Sequence, residues 1–83
     1  MPQPVADVVH RELNGQTVLV HLGTNEIFAL NATGSRFWTL LTEGRQRSEI
    51  RAHLLDEFDV APEVLDAEID ALISRLVAAS LVD

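Results

Sequence analysis

The most constraining stretch of the chain runs from Glu26 to Gly44, EIFALNATGSRFWTLLTEG. It reads as a short strand passing without a loop into an amphipathic helix over roughly Ala32 to Thr42. Asn31 is placed to cap that helix, because its side-chain oxygen can accept from the unpaired N–H groups of the first turn. Phe37, Trp38, Leu40 and Leu41 supply a broad apolar face, and Gly44 fits the position after the last turn. A strand joined so tightly to a helix is held rigidly at one end, so its free edge can serve as a docking rail.

The segments before and after follow the same logic. Met1 to Pro4 reads as a flexible start, since two prolines deny it ladder donors. Val5 to Leu13 is a strand candidate of mixed alternation. Asn14-Gly15 suits both positive-φ positions of a type I′ turn, which would pair Leu13 with Gln16 and His10 with Leu19. Gln16 to Leu22 is dense in Val and Leu and is the clearest strand. Gly23-Thr24-Asn25 turns the chain again into a third strand, Glu26 to Leu30. Downstream, Ser48 can cap a second helix in which Ile50, Leu54 and Phe58 recur every four residues. Pro62 opens a third helix that runs to about residue 80. Glu63, Asp66, Glu68 and Asp70 crowd its early turns, where the positive end of the macrodipole favours them. The expected fold is therefore α+β and winged-helix-like, a three-stranded antiparallel meander followed by three helices, forming one domain over residues 5–83.

Composition removes several functions. The chain has 83 residues, 47% of them apolar, enough for one small globular core. Six arginines and no lysine stand against thirteen acidic residues, a net charge of −7. That field repels phosphate backbones, so nucleic acid is not an expected partner. Without cysteine there is no disulfide, thiolate metal site or cysteine nucleophile. No apolar run nears the roughly 20 residues that span a bilayer, and no signal peptide opens the chain, so a cytoplasmic location without membrane contact is expected. His10, His21 and His53 lack metal-ligand spacing, no Gly-x-Ser-x-Gly surrounds any serine, and the four glycines are single turn or cap residues. An enzyme is not expected, nor a cofactor or metal.

What remains is a surface. Around Ile69, the third helix sets Leu65, Leu72, Ile73, Leu76 and Val77 as a core stripe. Val64, Glu68, Leu72, Arg75, Ala79 and Val82 form a mixed flank beside it. On the third strand, Phe28 and Leu30 share one face and are expected under the first helix, while Ile27 and Ala29 share the other. Only Glu26 is charged and no proline breaks the run. As an edge strand it would offer unpaired N–H and C=O groups, which suits addition of an extended peptide as a further strand.

The Leu30-Asn31-Ala32-Thr33-Gly34 junction, Trp38, Leu40-Leu41, Gly44, the Ser48-capped helix and the long terminal helix together resemble the PqqD-like family. Its members are leader-peptide recognition elements of ribosomal peptide biosynthesis. The resemblance implies that a precursor's leader adds a strand antiparallel to the third strand and lies against the third helix. On this chain one wall would be Glu26, Ile27, Phe28, Ala29 and Leu30, and the other Glu68, Leu72, Arg75 and Ala79. The short chain resembles the stand-alone form of lasso-peptide pathways, which presents the precursor to a separate leader peptidase. A partner of a radical-SAM maturase, as in pyrroloquinoline quinone biosynthesis, fits the resemblance too. Two readings of other classes stay open: a winged-helix DNA-binding regulator, against which the acidic charge counts, and a structural subunit recognising a folded protein through its third helix.

Overall fold

Asn14 and Gly15 both take positive φ, 54° and 80°, and reverse the chain in two residues. In the computed structural model, which describes residues 2–83, this turn joins β1 (Val8–Leu13) to β2 (Gln16–His21) with Leu13 opposite Gln16 and His10 opposite Leu19. β3 (Glu26–Ala29) pairs antiparallel with the other side of β2, Phe28 opposite Leu19. The strand order is β1-β2-β3, so β2 is central and both β1 and β3 are edges. Three helices follow: α1 (Ala32–Thr42), α2 (Arg47–Glu57) and α3 (Pro62–Ala78). The fold is α+β, a three-stranded antiparallel meander and then three helices.

Local chemistry sets the helix ends. The Asn31 Oδ1 accepts from the Gly34 N–H at 2.8 Å and opens α1. At its far end Gly44 has φ 81°, with Gly44 N–H donating to Leu41 O and Arg45 N–H donating to Leu40 O. These two bonds make a Schellman closure. α3 closes the same way through Ser80, at φ 58°, with Ser80 N–H on Val77 O and Leu81 N–H on Leu76 O. Pro62 takes the first helical position of α3, where a missing N–H costs nothing. α2 departs from expectation: Gln46, not Ser48, is its N-cap, and the Glu49 carboxylate accepts from the Gln46 N–H at 3.0 Å. A Glu three residues into the helix reaches back to the cap, so the serine inside the first turn is not needed for it.

The core gathers Leu19 from the sheet, Leu30 from the junction, Phe37, Trp38, Leu40 and Leu41 from α1, and Ile50 and Leu54 from α2. Leu65, Ile69 and Leu76 of α3 complete it, with Leu81 and Val82 from the tail. Each large apolar side chain buried in this way contributes about 1.5–3 kcal/mol. Val77 is 49% exposed and lies outside the core, and Leu72 and Ile73 are half-buried. The stripe is centred nearer Leu76 than Ile69, which turns Val77 about 100° away from it.

Three strand boundaries also differ: β2 ends at His21 rather than Leu22, β3 at Ala29 rather than Leu30, and the third is the start of β1. β1 begins at Val8 rather than Val5, because residues 3–5 pair elsewhere. Gln3 and Asp83 exchange both backbone bonds at 3.0 Å, Pro4 lies opposite Val82, and Val5 N–H donates to Leu81 O at 3.1 Å. Pro4 falls between the bonded rungs, where the ladder asks for no donor, so the proline does not loosen the start. Of the start expected to be flexible, Gln3 and Pro4 thus lie against residues 82–83, and Met1 lies outside the described residues.

Candidate functional site

The junction of β3 with α1 is locked by one hydroxyl. Leu30 N–H donates to Thr17 O at 2.8 Å, closing the β2–β3 ladder one residue beyond β3. On the return path Ser35 of α1 stands between the strands: Thr17 N–H donates to its Oγ at 2.7 Å, and the hydroxyl donates to Leu30 O at 3.3 Å. Ser35 is only 6% exposed, so both bonds are made away from water.

That rung fixes which groups face outward. Antiparallel ladders alternate, so with Leu30 bonded to Thr17, Phe28 turns its N–H and C=O towards Leu19. Ile27 and Ala29 then present theirs to the open side. The side chains divide as the pleat demands. Leu30 is buried, and Phe28 is half-buried with the Arg75 guanidinium 4.8 Å above its ring. Phe28 packs against the core to which α1 contributes, and it also reaches Arg75 of α3.

Between the end of β3, the first turn of α1 and the flank of α3 lies a groove of about 400 Å³. Of the residues expected for the site, it brings together Ala29, Leu30, Glu68, Leu72 and Arg75. Phe28 joins them through Arg75. Three do not line it. Glu26 is exposed at the start of β3, and Ile27 is 72% exposed on the opposite face of the sheet. Ala79 is packed against the core at the end of α3. Ile27 belongs to the edge through its backbone alone.

The groove has a third wall that the sequence pattern did not assign, formed by Asn31, Thr33, Gly34 and Phe37. Thr33 and Phe37 are four residues apart and so share a helix face, which was the available signal. Gly34 keeps this wall tight: a Cβ there would stand 3.2 Å from Asn31 Oδ1 and 3.4 Å from Leu30 Cβ.

Ion pairs decide which charges remain at the groove. Arg47 holds Asp70 at 2.6 Å and Arg51 holds Asp66 at 2.7 Å, tying α2 to the polar face of α3. The hydrogen bond from Arg51 holds the Asp66 carboxyl below the usual carboxylate range, and the same bond raises the Arg51 guanidinium. Arg36 pairs with Glu57 at 2.8 Å, and Arg45 lies 3.5 and 3.6 Å from Glu43 and Glu49. None of these pairs uses Glu68 or Arg75.

A second cavity, of about 570 Å³, lies at the other edge between β1 and α1. His10, Arg11, Glu12, Leu13, Trp38 and Thr42 are among its lining residues. Among the described residues no cluster of His, Asp or Glu is arranged to hold a metal ion. His21 has a local task, its Nδ1 accepting from Gly23 and Thr24 N–H at 3.1 and 3.3 Å to close the β2–β3 turn. None of the described helices is long and apolar enough to cross a membrane.

The meander, its edge strand β3 and the helical groove beside it make a small α+β domain, and known proteins supply the family. The family model of coenzyme PQQ synthesis protein D (PqqD) matches residues 16–82. The structure of TbiB1 in complex with the TbiA(beta) leader peptide is 30% identical, with a TM-score of 0.91 over 98% of this chain and 94% of that one. The structure of lasso peptide synthetase B1 complexed with the leader peptide shares the fold at 18% identity, with a TM-score of 0.88 over 99% of this chain and 96% of that one. No curated protein sequence matches. The chain belongs to the PqqD family.

Proposed function

We propose that this protein binds the leader segment of a ribosomally made precursor peptide by strand addition to β3, and presents it to a separate leader peptidase in lasso-peptide biosynthesis. One observation carries the reading: Ile27 and Ala29 hold their backbone donors and acceptors outward on an edge that runs directly into the groove. The similarity to TbiB1, whose structure holds a leader peptide, supports it. An incoming strand would take its direction from the ladder, each bond worth about 1 kcal/mol net. Its identity would be read by side chains entering the groove among Phe28, Leu30, Glu68, Leu72 and Arg75, where each large apolar anchor contributes about 1.5–3 kcal/mol. Glu26 flanks the start of the rail and Ala79 supports α3 from behind.

In this reading residues 5–83 form one leader-recognition domain that is non-catalytic, cytoplasmic and without cofactor, nucleic acid or membrane. The same groove would serve a radical-SAM maturase equally well if the precursor belonged to that kind of pathway. Calorimetric titration with a synthetic leader of the precursor encoded beside this gene tests the assignment. Saturable binding that weakens by about tenfold or more on Ala29→Pro supports it. Binding that persists unchanged in that variant removes strand addition from the account.

A further inference from the structure

Leader binding to the groove leaves open what the groove selects, and its two unpaired charges bear on that. Of the six arginines, four sit in ion pairs with carboxylates of the domain itself: Arg36, Arg45, Arg47 and Arg51. Arg11 lies at the opposite edge of the sheet, on β1. Arg75 is the arginine at the groove, and no carboxylate among the described residues pairs with it. Its guanidinium is laid over the Phe28 ring at 4.8 Å instead. A guanidinium drawn to a ring face as a cation can still offer N–H donors to a partner, in the planar fork that matches a carboxylate. The ring favours this placement of the exposed side chain, which reduces the rotamer freedom lost when a partner arrives.

Glu68 lines the same groove two turns earlier on α3, about 10 Å away at 1.5 Å per residue. The two neighbouring acids of that helix, Asp66 and Asp70, are taken by arginines of α2, and Glu68 is not. The groove therefore has a positive end at Phe28 and a negative end further back along the helix.

We propose that the Arg75–Phe28 stack is a specificity-determining seat for an acidic side chain of the bound leader, and that Glu68 disfavours a second acid in the groove and favours a basic residue near it. The proposal rests on leader binding by β3 and adds the chemistry of the residue chosen. The leader strand places alternate side chains on the groove face, so one of its inward residues reaches Arg75 as its backbone engages Ile27 and Ala29.

A yeast-displayed library of random short peptides, sorted on the wild-type protein and on Arg75→Glu, tests the seat whatever the sequence of the native leader. The wild type is expected to enrich peptides with an Asp or Glu at one fixed inward position, and Arg75→Glu to enrich Lys or Arg there. Crossing the two sets costs about tenfold in affinity, the scale of one hydrogen bond to a charged group. Arg75→Lys keeps the charge without the planar stack and retains the acidic preference at lower affinity. Circular dichroism spectra matching the wild type confirm that the variants fold. If the enriched peptides bind in a manner lost on Ala29→Pro but show the same charge at that position for both proteins, the charged seat is wrong and leader binding stands. If no enriched peptide depends on Ala29, both fail together.

Discussion

The two edges of this sheet are built on the same central strand, yet they differ in what stands beside them. β1 is six residues long and carries His10, Arg11 and Glu12 in its middle. β3 is four residues long, and its only charge is Glu26 at the very start. By the ladder alternation set at Leu13–Gln16, β1 also turns unpaired groups outward, at Val8, His10 and Glu12. The cavity beside β1 is even the larger, about 570 Å³ against about 400 Å³. Open donors and empty space are therefore common to both. What differs is the wall: charges mid-strand blunt β1, whereas β3 runs into half-buried apolar side chains of α3. On the proposed reading β3 serves as the rail because a strand added there desolvates fewer charged side chains.

The sharpest way to break this comparison is to put a charge in the favoured wall. Leu72→Asp should lower leader affinity by about a hundredfold or more, from a lost apolar anchor plus a charge in the groove that also competes for Arg75. Leu72 is half-buried, so the fold should survive, and calorimetry beside a thermal melt separates the two effects. Next come matched prolines: Ala29→Pro should weaken binding by about tenfold or more, through a lost donor and a blocked approach. His10→Pro, the corresponding change on β1, should leave affinity as it is. Equal effects of the two would mean that the edges are not distinguished. Ser35→Ala reaches the rail from behind. Removing the hydroxyl strands the Thr17 N–H, and a loss of about 1–3 kcal/mol should appear in denaturant unfolding.

The smallest effect belongs to the pair that braces α3 against α2. Asp66 has a lowered folded-state pKa, so its contribution is present above the unfolded value, near 3.9, and fades as pH falls through the lower folded one. Asp66→Asn should slightly flatten the acid limb of a melting-temperature profile and leave the neutral-pH melt nearly unchanged.

Much of the rail was legible in the sequence because it is made by short-range chemistry. Asn31 capping α1, Asn14-Gly15 reversing the first hairpin and Gly44 ending α1 each depend on residues within one turn. The three-stranded order placing Glu26–Ala29 at an edge followed from the same turns. The groove itself was half legible. Leu72 and Arg75 follow from helical periodicity, but Thr33, Gly34 and Phe37 join them only because Ser35 docks α1 onto the end of β3. Ile27 entered the wall through the family resemblance, and its side chain lies on the opposite face, as the alternation of the strand already implied. The rungs between residues 3–5 and 81–83 join opposite ends of the chain, and no local pattern announces such a pairing.

Those rungs also govern how the molecule answers a mechanical load. Among the described residues Gln3 and Asp83 form the outermost of these backbone pairs, so tension pulling residues 3 and 83 apart loads that pair before Val5 and Leu81. Bonds loaded in succession yield at low force, unlike strands sheared along their length. Stretching would peel the ends apart before any strain is transmitted to β3 or its groove.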